Sequence, residues 1–291
     1  MAKLLILGAG PAGVSAALYA VRGGADVTVV SRGVGTSALS RAEKIENYYG
    51  LTEAVSGREL EQRGIEGAKK IGVKFVEDEV LELGFADDFK SFRAVAANGT
   101  YVADAVIIAA GAARKAPNID GVKRLTGHGV SYCAVCDGFF YRGKTVAVLG
   151  AGDYAVHETQ VLLPLVGKVL LLTDGAAVPD DLPDGILPYT EKVAAITGQE
   201  RVTGAVLDNK KEVYFDGLFI AFGTAGSAEL ARKLGVMLDE NGNVQVGADM
   251  TTNVPGIFAA GDCAGGILQV AKAVWQGAAA GLSAVKFLRG K

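Results

Sequence analysis

The chain has 291 residues, half of them hydrophobic and 40 of them glycine, with a formal net charge of -3. That length holds two domains with separate cores, and the near-balanced charge offers no basic footprint for a nucleic-acid partner. No segment reaches the ~20 apolar residues needed to span a bilayer, so no membrane role is expected. The start, Met1-Ala-Lys, runs into an apolar strand instead of a secretory leader. Three cysteines make neither a disulfide framework nor a four-cysteine zinc site. The expected setting is therefore a reducing, cytoplasmic one, with no metal.

Residues 3–7 predict a strand, 11–21 an alanine-rich helix and 25–30 a second strand. Gly8-Ala-Gly10-Pro11-Ala12-Gly13 stands at the first junction. Strand, glycine turn, helix and strand form the context in which such a fingerprint binds a dinucleotide. Gly8 permits the sharp turn, Gly10 lets backbone approach a pyrophosphate, and Gly13 allows close helix–strand packing. The phosphate then meets the free N–H groups at the helix start. A ribose carboxylate would normally close the second strand. Ser31 and Arg32 stand there instead, so hydroxyl, guanidinium or backbone groups are expected to hold the adenosine side.

A helix over 56–71 follows, then short strands at 74–76, 80–83, 91–96 and 101–103, and the apolar run 105–109. Cys133-Ala-Val-Cys136 comes next and is expected at a loop-to-helix junction, where a thiolate is stabilised. The two-residue spacing lets one sulfur attack a partner disulfide and the other resolve the mixed disulfide. Asp137 either takes and returns a proton in that exchange or caps a turn. His128 is either an acid–base group or a loop contact.

Residues 144–149 restart the pattern and end in Gly150-Ala-Gly152-Asp153-Tyr154-Ala155, with a helix over 154–165 and a strand over 168–172. Here the nucleotide chemistry fails. The strand ends in Thr173-Asp174-Gly175, and no arginine occurs between Arg142 and Arg201. A 2′-phosphate wants a guanidinium or ammonium group and is repelled by Asp174. Residues 176–189 carry three prolines and three aspartates, and so predict a loop where a nucleotide domain places a helix. The second module is therefore expected to have kept its fold and lost its ligand. Asp174 alone would favour the ribose of NADH.

Strands at 192–196, 201–207, 212–214 and 218–222 continue the domain. Residues 256–260 lead into Gly261-Asp262 and a final helix over 269–288. Asp262 suits a ribityl hydroxyl. Gln269, Val270 and the small residues 278–281 are expected beside a cofactor, and Cys263 as a packing residue. The fold class is α/β: two Rossmann-like, three-layer nucleotide-binding domains, the second inserted in the first. The first comprises 1–115 and 244–291, the insert 116–243, with a hinge at Pro117 and at Gly242 or Gly247. The insert carries 11 Lys or Arg against 16 Asp or Glu, leaving the rest of the chain at 18 against 16.

Together, Gly8–Gly13, Glu46-Asn47-Tyr-Tyr-Gly50, Gly129-Val-Ser-Tyr-Cys133-Ala-Val-Cys136-Asp137-Gly138, the second fingerprint, Gly256-Ile-Phe-Ala-Ala-Gly261-Asp262 and Leu268-Gln269-Val270 resemble the low-molecular-weight, flavin-dependent thioredoxin reductases. The resemblance implies FAD in the split domain, a redox-active Cys133/Cys136 disulfide, thioredoxin as acceptor and a homodimer. It also implies Asn47 and Gln269 near the flavin, Asp262 on the ribityl chain and Asp137 as proton donor. Such enzymes alternate two domain orientations about a hinge. The family's basic cluster after the second domain's second strand is absent here, and Tyr154 is expected to obstruct the pyrophosphate position. Members with this loss look like reductases supplied by another donor, reduced ferredoxin or in some microbes a deazaflavin. Ferredoxin is the expected donor, favoured slightly by the surplus of two positive charges outside the insert. The alternatives are an NADH- or NADPH-dependent reductase, a flavin-dependent dithiol oxidase and a flavin-bound redox sensor.

Overall fold

The computed structural model describes residues 2–111, 117–132, 134–222 and 226–290. The chain begins β1 (Lys3–Leu7), α1 (Pro11–Arg22), β2 (Asp26–Ser31), α2 (Gly57–Lys70) and β3 (Lys74–Glu77). It goes on through β4 (Val80–Phe85), β5 (Phe92–Ala96), β6 (Thr100–Ala103) and β7 (Ala105–Ile108). The middle runs α3 (Val122–Leu125), β8 (Val130–Ser131), α4 (Ala134–Asp137), β9 (Thr145–Leu149), α5 (Asp153–Leu162) and β10 (Lys168–Leu172). Then come β11 (Leu187–Tyr189), β12 (Val193–Thr197), β13 (Gly204–Leu207), β14 (Glu212–Tyr214) and β15 (Gly217–Ile220). The end returns with α6 (Ser227–Lys233), β16 (Ile257–Ala259) and α7 (Val270–Arg289). Among the described residues no helix is long and apolar enough to cross a membrane.

Two compact units result: residues 1–114 with 226–291, and residues 115–225. Unit 1 holds a parallel sheet in the order β16-β7-β1-β2-β3 and an antiparallel sheet β4-β5-β6. β1 is central and buried on both faces, which is why it reads as an unbroken apolar run and not as an alternation. α1 starts on Pro11, whose fixed φ suits a first helical position, and buries Ala12, Ala16 and Ala20. α2 starts because Ser56 accepts the Glu59 N–H, a cap that stabilises a helix by about 1 kcal/mol. The core joins Leu4, Ile6, Val27, Val29, Ile107 and Phe258 to alanines of α1 and α7.

Unit 2 repeats the design with a parallel sheet β11-β10-β9-β15-β8 and an antiparallel sheet β12-β13-β14. Its core is separate, built on Leu149, Leu170, Leu172, Leu218, Ile220 and Ile196. Two Rossmann-like parallel sheets are thus present, as the sequence predicts. No helix lies between β10 and β11, where the proline- and aspartate-rich stretch predicts a loop. The short strand β11 inside that stretch was not expected.

The second crossing between units falls after residue 225, not at 243. α6 was missed by the sequence reading, and it packs on β4 of unit 1. Beyond it the Met237 N–H donates to Asn253 Oδ1 at 2.8 Å and the Val244 N–H to the Cys263 carbonyl at 2.7 Å. Gly242 and Gly247 therefore lie inside unit 1 and are not at the crossing. The crossings themselves, 112–116 and 223–225, lie outside the described residues.

Candidate cofactor and dithiol sites

In unit 1 the glycine turn has the shape its spacing demands. Gly8 sits at φ 105, and a Cβ there would meet the Ala109 carbonyl oxygen at 2.5 Å. A Cβ on Gly13 would fall 1.9 Å from the Gly8 carbonyl oxygen, so only glycine lets α1 sit this close to β1. Gly10 differs: its missing Cβ would find only Ser37, 4.0 Å away, and open space otherwise. No side chain caps α1 and no acid stands in its first turn. The Pro11-Ala12-Gly13 start therefore presents uncapped amides to an anion.

The two ends of the chain meet at this turn. Gly261 lies at φ 87, and a Cβ on it would touch the Ala12 Cβ at 2.8 Å. The Gly261 N–H donates to the buried Gln276 side chain at 2.9 Å. Asp262 follows at the start of a 3-10 turn, with the Lys272 ammonium 3.7 Å from its Oδ1. That ammonium also donates to the carbonyls of Gly261 and Gly265 at 3.1 and 2.7 Å. Asn47 and Gln269, far apart in sequence, are joined directly: Nδ2 donates to Oε1 at 3.2 Å. Val270 opens α7 immediately after Gln269.

Two features of unit 1 come from the fold. α7 packs on α1 through glycine: a Cβ on Gly277, just before the small residues 278–281, would lie 2.1 Å from the Ala12 carbonyl oxygen, and one on Gly281 2.5 Å from that of Ala16. At the adenosine end, Ser31 Oγ is turned to its own chain, accepting the Gly33 N–H at 3.4 Å, and Arg32 is exposed. A carboxylate is nevertheless present. Glu77 stands opposite Ser31 in β3, and a Cβ on Gly33 would meet its carboxylate at 2.8 Å. Only the strand register brings it there. Cys263 is a packing residue: it is fully buried, and its thiol donates to the Ile108 and Ala260 carbonyls at 3.2 Å each.

In unit 2, Cys133 and the side chain of Cys136 lie outside the described residues. α4 begins directly after Cys133. At its far end Asp137 accepts the Ser131 hydroxyl at 2.6 Å, and its side chain makes no cap to the 3-10 turn that follows. At its near end the Ala134 N–H donates to Glu158 Oε2 at 2.9 Å. Phe139 and Phe140, in the 3-10 turn, are 62% and 70% exposed, with the Arg142 guanidinium stacked on Phe139. Such an apolar pair beside the dithiol motif was readable as Phe-Phe in the sequence, and was passed over. His128 is exposed, and its backbone is engaged in the turn around it.

The second fingerprint keeps its turn. Gly150 lies at φ 153, where a Cβ would meet the Ala221 carbonyl oxygen at 2.1 Å. Tyr154 is wholly buried in the core, so its ring does not stand exposed at the helix start. The group that does is the exposed carboxylate of Asp153, in the first turn of α5, where it takes up the positive end a pyrophosphate would use. Asp174 has a structural duty: at φ 53, its Oδ1 accepts the Val193 N–H at 2.8 Å. The side-chain stem of Lys192 lies over Gly175.

A dinucleotide cradle on one α/β unit, and a dithiol motif on a second unit of the same design, define a two-domain nucleotide-cofactor oxidoreductase. The family profile "Pyridine nucleotide-disulphide oxidoreductase" matches residues 2–277, and the chain belongs to that family. The thioredoxin reductase of Listeria monocytogenes is 34% identical, over 98% of this chain and 93% of the relative. The crystal structure of the atypical thioredoxin reductase TRi from Desulfovibrio vulgaris Hildenborough superposes with a TM-score of 0.92 at 37% identity, covering 100% and 99% of the two chains. That of a ferredoxin-flavin thioredoxin reductase from Clostridium acetobutylicum gives a TM-score of 0.74 at 29% identity, with 100% and 99% covered.

The chain is accordingly a thioredoxin-reductase-like oxidoreductase with FAD as cofactor. Unit 1 fits that cofactor on its own terms. Its turn is open at Gly10, its helix start is uncapped, and Asp262 sits where Gly261 meets Ala12.

Proposed function

We propose that this protein is a disulfide reductase that takes electrons from reduced ferredoxin and passes them through Cys133 and Cys136 to thioredoxin. The observation that carries the donor assignment is the use of Asp174 to hold the Val193 N–H. With one oxygen of that carboxylate tied to the backbone, and the Asp153 carboxylate at the start of α5 repelling a pyrophosphate, unit 2 is poorly suited to a phosphorylated pyridine nucleotide. Similarity to the ferredoxin-flavin thioredoxin reductase of Clostridium acetobutylicum supports ferredoxin. The charge argument does not: with the boundary after 225, unit 1 carries 19 Lys or Arg against 19 Asp or Glu, and the positive surplus vanishes.

The roles follow from the cradle. Ala12 and Gly13 amides would hold the pyrophosphate, with Gly8 and Gly10 leaving room and Pro11 fixing the helix start. Asp262 would hold the ribityl chain, while Asn47, Gln269 and Val270 would border the flavin. Ser31 and Arg32 would offer backbone and guanidinium to the adenosine, with Glu77 beside them. FAD, when bound, supplies the junction between one-electron input and two-electron output. Asp137 would return the proton that the dithiol needs, its carboxylate fixed by the Ser131 hydroxyl. The exposed Phe139 and Phe140 beside α4 suit docking of thioredoxin. A homodimer in the cytoplasm completes the proposal, supported by the family resemblance and by the absence of a disulfide framework.

Anaerobic flavin spectra test the donor. Photoreduced ferredoxin is expected to bleach the bound FAD rapidly and to drive thioredoxin reduction, while NADPH and NADH at micromolar concentration leave the spectrum unchanged. Rapid bleaching by either nucleotide overturns the ferredoxin assignment. It would direct attention to Lys192, whose side chain lies over Gly175.

A further inference from the structure

Glu158 is 1% exposed, on the inner face of α5, and so belongs to a charged class that proteins bury only when it is satisfied. One satisfying contact is unusual in its target. Oε2 accepts the N–H of Ala134, the residue between Cys133 and the rest of α4, at 2.9 Å within the core. α5 packs against α4 along this seam. At the other end of α4, Asp137 is gripped by Ser131. The four-residue segment that ends in Cys136-Asp137 is therefore held at both ends through carboxylates, one buried and one partly exposed.

We propose that Glu158 is the positioning residue of the dithiol, fixing the backbone between its two cysteines and setting their redox potential. The inference rests on the reading of Cys133 and Cys136 as the redox pair. The disulfide takes up two electrons and two protons to become the dithiol, and a thiolate forms when one of those protons leaves. A fixed negative charge at Ala134 opposes a second negative charge on a neighbouring sulfur. That disfavours the reduced form relative to a neutral neighbour, and makes the couple a stronger reductant toward thioredoxin. The same contact gives α5, whose N-terminus is poorly suited to a nucleotide, a second duty: its inner face holds the Ala134 N–H.

The test uses the full-length, FAD-loaded protein equilibrated in dithiothreitol buffers, with the Cys133/Cys136 pair read by alkylation and mass spectrometry. Glu158→Gln keeps volume and an acceptor oxygen for Ala134 while removing the charge. It is expected to shift the equilibrium toward the dithiol by about tenfold, or ~30 mV for a two-electron couple. An unchanged midpoint in a folded, flavin-loaded E158Q overturns the role of Glu158. If E158Q yields no folded protein, Glu158→Asp carries the test: keeping the charge, it is expected to stay within about twofold of wild type. A tenfold shift in E158D overturns the electrostatic part. Failure to find any Cys133/Cys136 disulfide in the wild-type protein is a different result. It would sink the dithiol reading and this inference with it, whereas an unmoved E158Q midpoint leaves the dithiol reading intact.

Discussion

Cys263 shows how a residue type is read by its surroundings. Burial, the largest effect, pushes its thiol up to about 12 from an ordinary value of 9.0. The unfolded chain releases that proton near 9 and the folded chain near 12, so above pH 9 the folded state binds more protons. Its contribution to stability is whole below about pH 9 and falls by up to about 1.4 kcal/mol per pH unit until about pH 12. Alkylation at pH 8 after reduction is expected to modify two of the three cysteines in the folded protein and the third only after unfolding; three rapid modifications would refute the packing role. Spacing along the chain makes Gly8, Gly10 and Gly13 legible, since their work is local. It hides Asn47 with Gln269, Glu77 with Gly33 and Glu158 with Ala134, because folding creates those neighbours. Asp174 was legible as an acid at a strand end, but not as the acceptor for Val193.

At the scale of elements, sequence worked where one signal ruled. Buried parallel strands such as β1, β9 and β10 read as apolar runs bounded by lysine and glycine, and their ends fall within a residue of expectation. Two short strands were lost: β8 has only two residues, and β11 lies in the proline- and aspartate-rich stretch that reads as a loop. α6, at seven residues, was lost too, and with it the boundary. The contact of α1 with α7 rests on Gly277 and Gly281, of which the sequence reading includes only Gly281, among residues expected beside a cofactor. Gly277→Ala would drive a Cβ to 2.1 Å from the Ala12 carbonyl oxygen, a backbone atom that yields little. Such overpacking is expected to cost roughly 1–3 kcal/mol and, by moving Ala12, to loosen FAD. Urea unfolding of apoprotein and flavin retention on a desalting column measure the two effects; wild-type values in both would contradict this account of the α1–α7 contact.

For the whole molecule, the alternation of strand and helix made the two Rossmann-like units and the return of the chain legible, because each unit must complete its own sheet. Unit 1 does so only with β16 at its edge and α7 on α1, both contributed after the insert. Unit 2 is one continuous segment with its own core. Expressed alone, residues 115–225 are therefore expected to fold cooperatively, seen as a single thermal transition by circular dichroism. A chain stopped at 243, where sequence placed the boundary, is expected to hold no flavin. Yellow, FAD-loaded protein from the shortened chain would mean that the cradle does not need Gly261, Asp262 and α7.

The turn at Asp174 works as a ratchet. A larger side chain placed there to greet a nucleotide phosphate would leave the Val193 N–H without its acceptor and would stand at φ 53, a conformation that most side chains resist. A basic phosphate contact at this turn thus asks for coordinated change at both ends of that bond, so a single substitution meets a loss of stability before any gain in binding. What reads in the sequence as a missing arginine is, in the folded chain, a position already occupied by another duty.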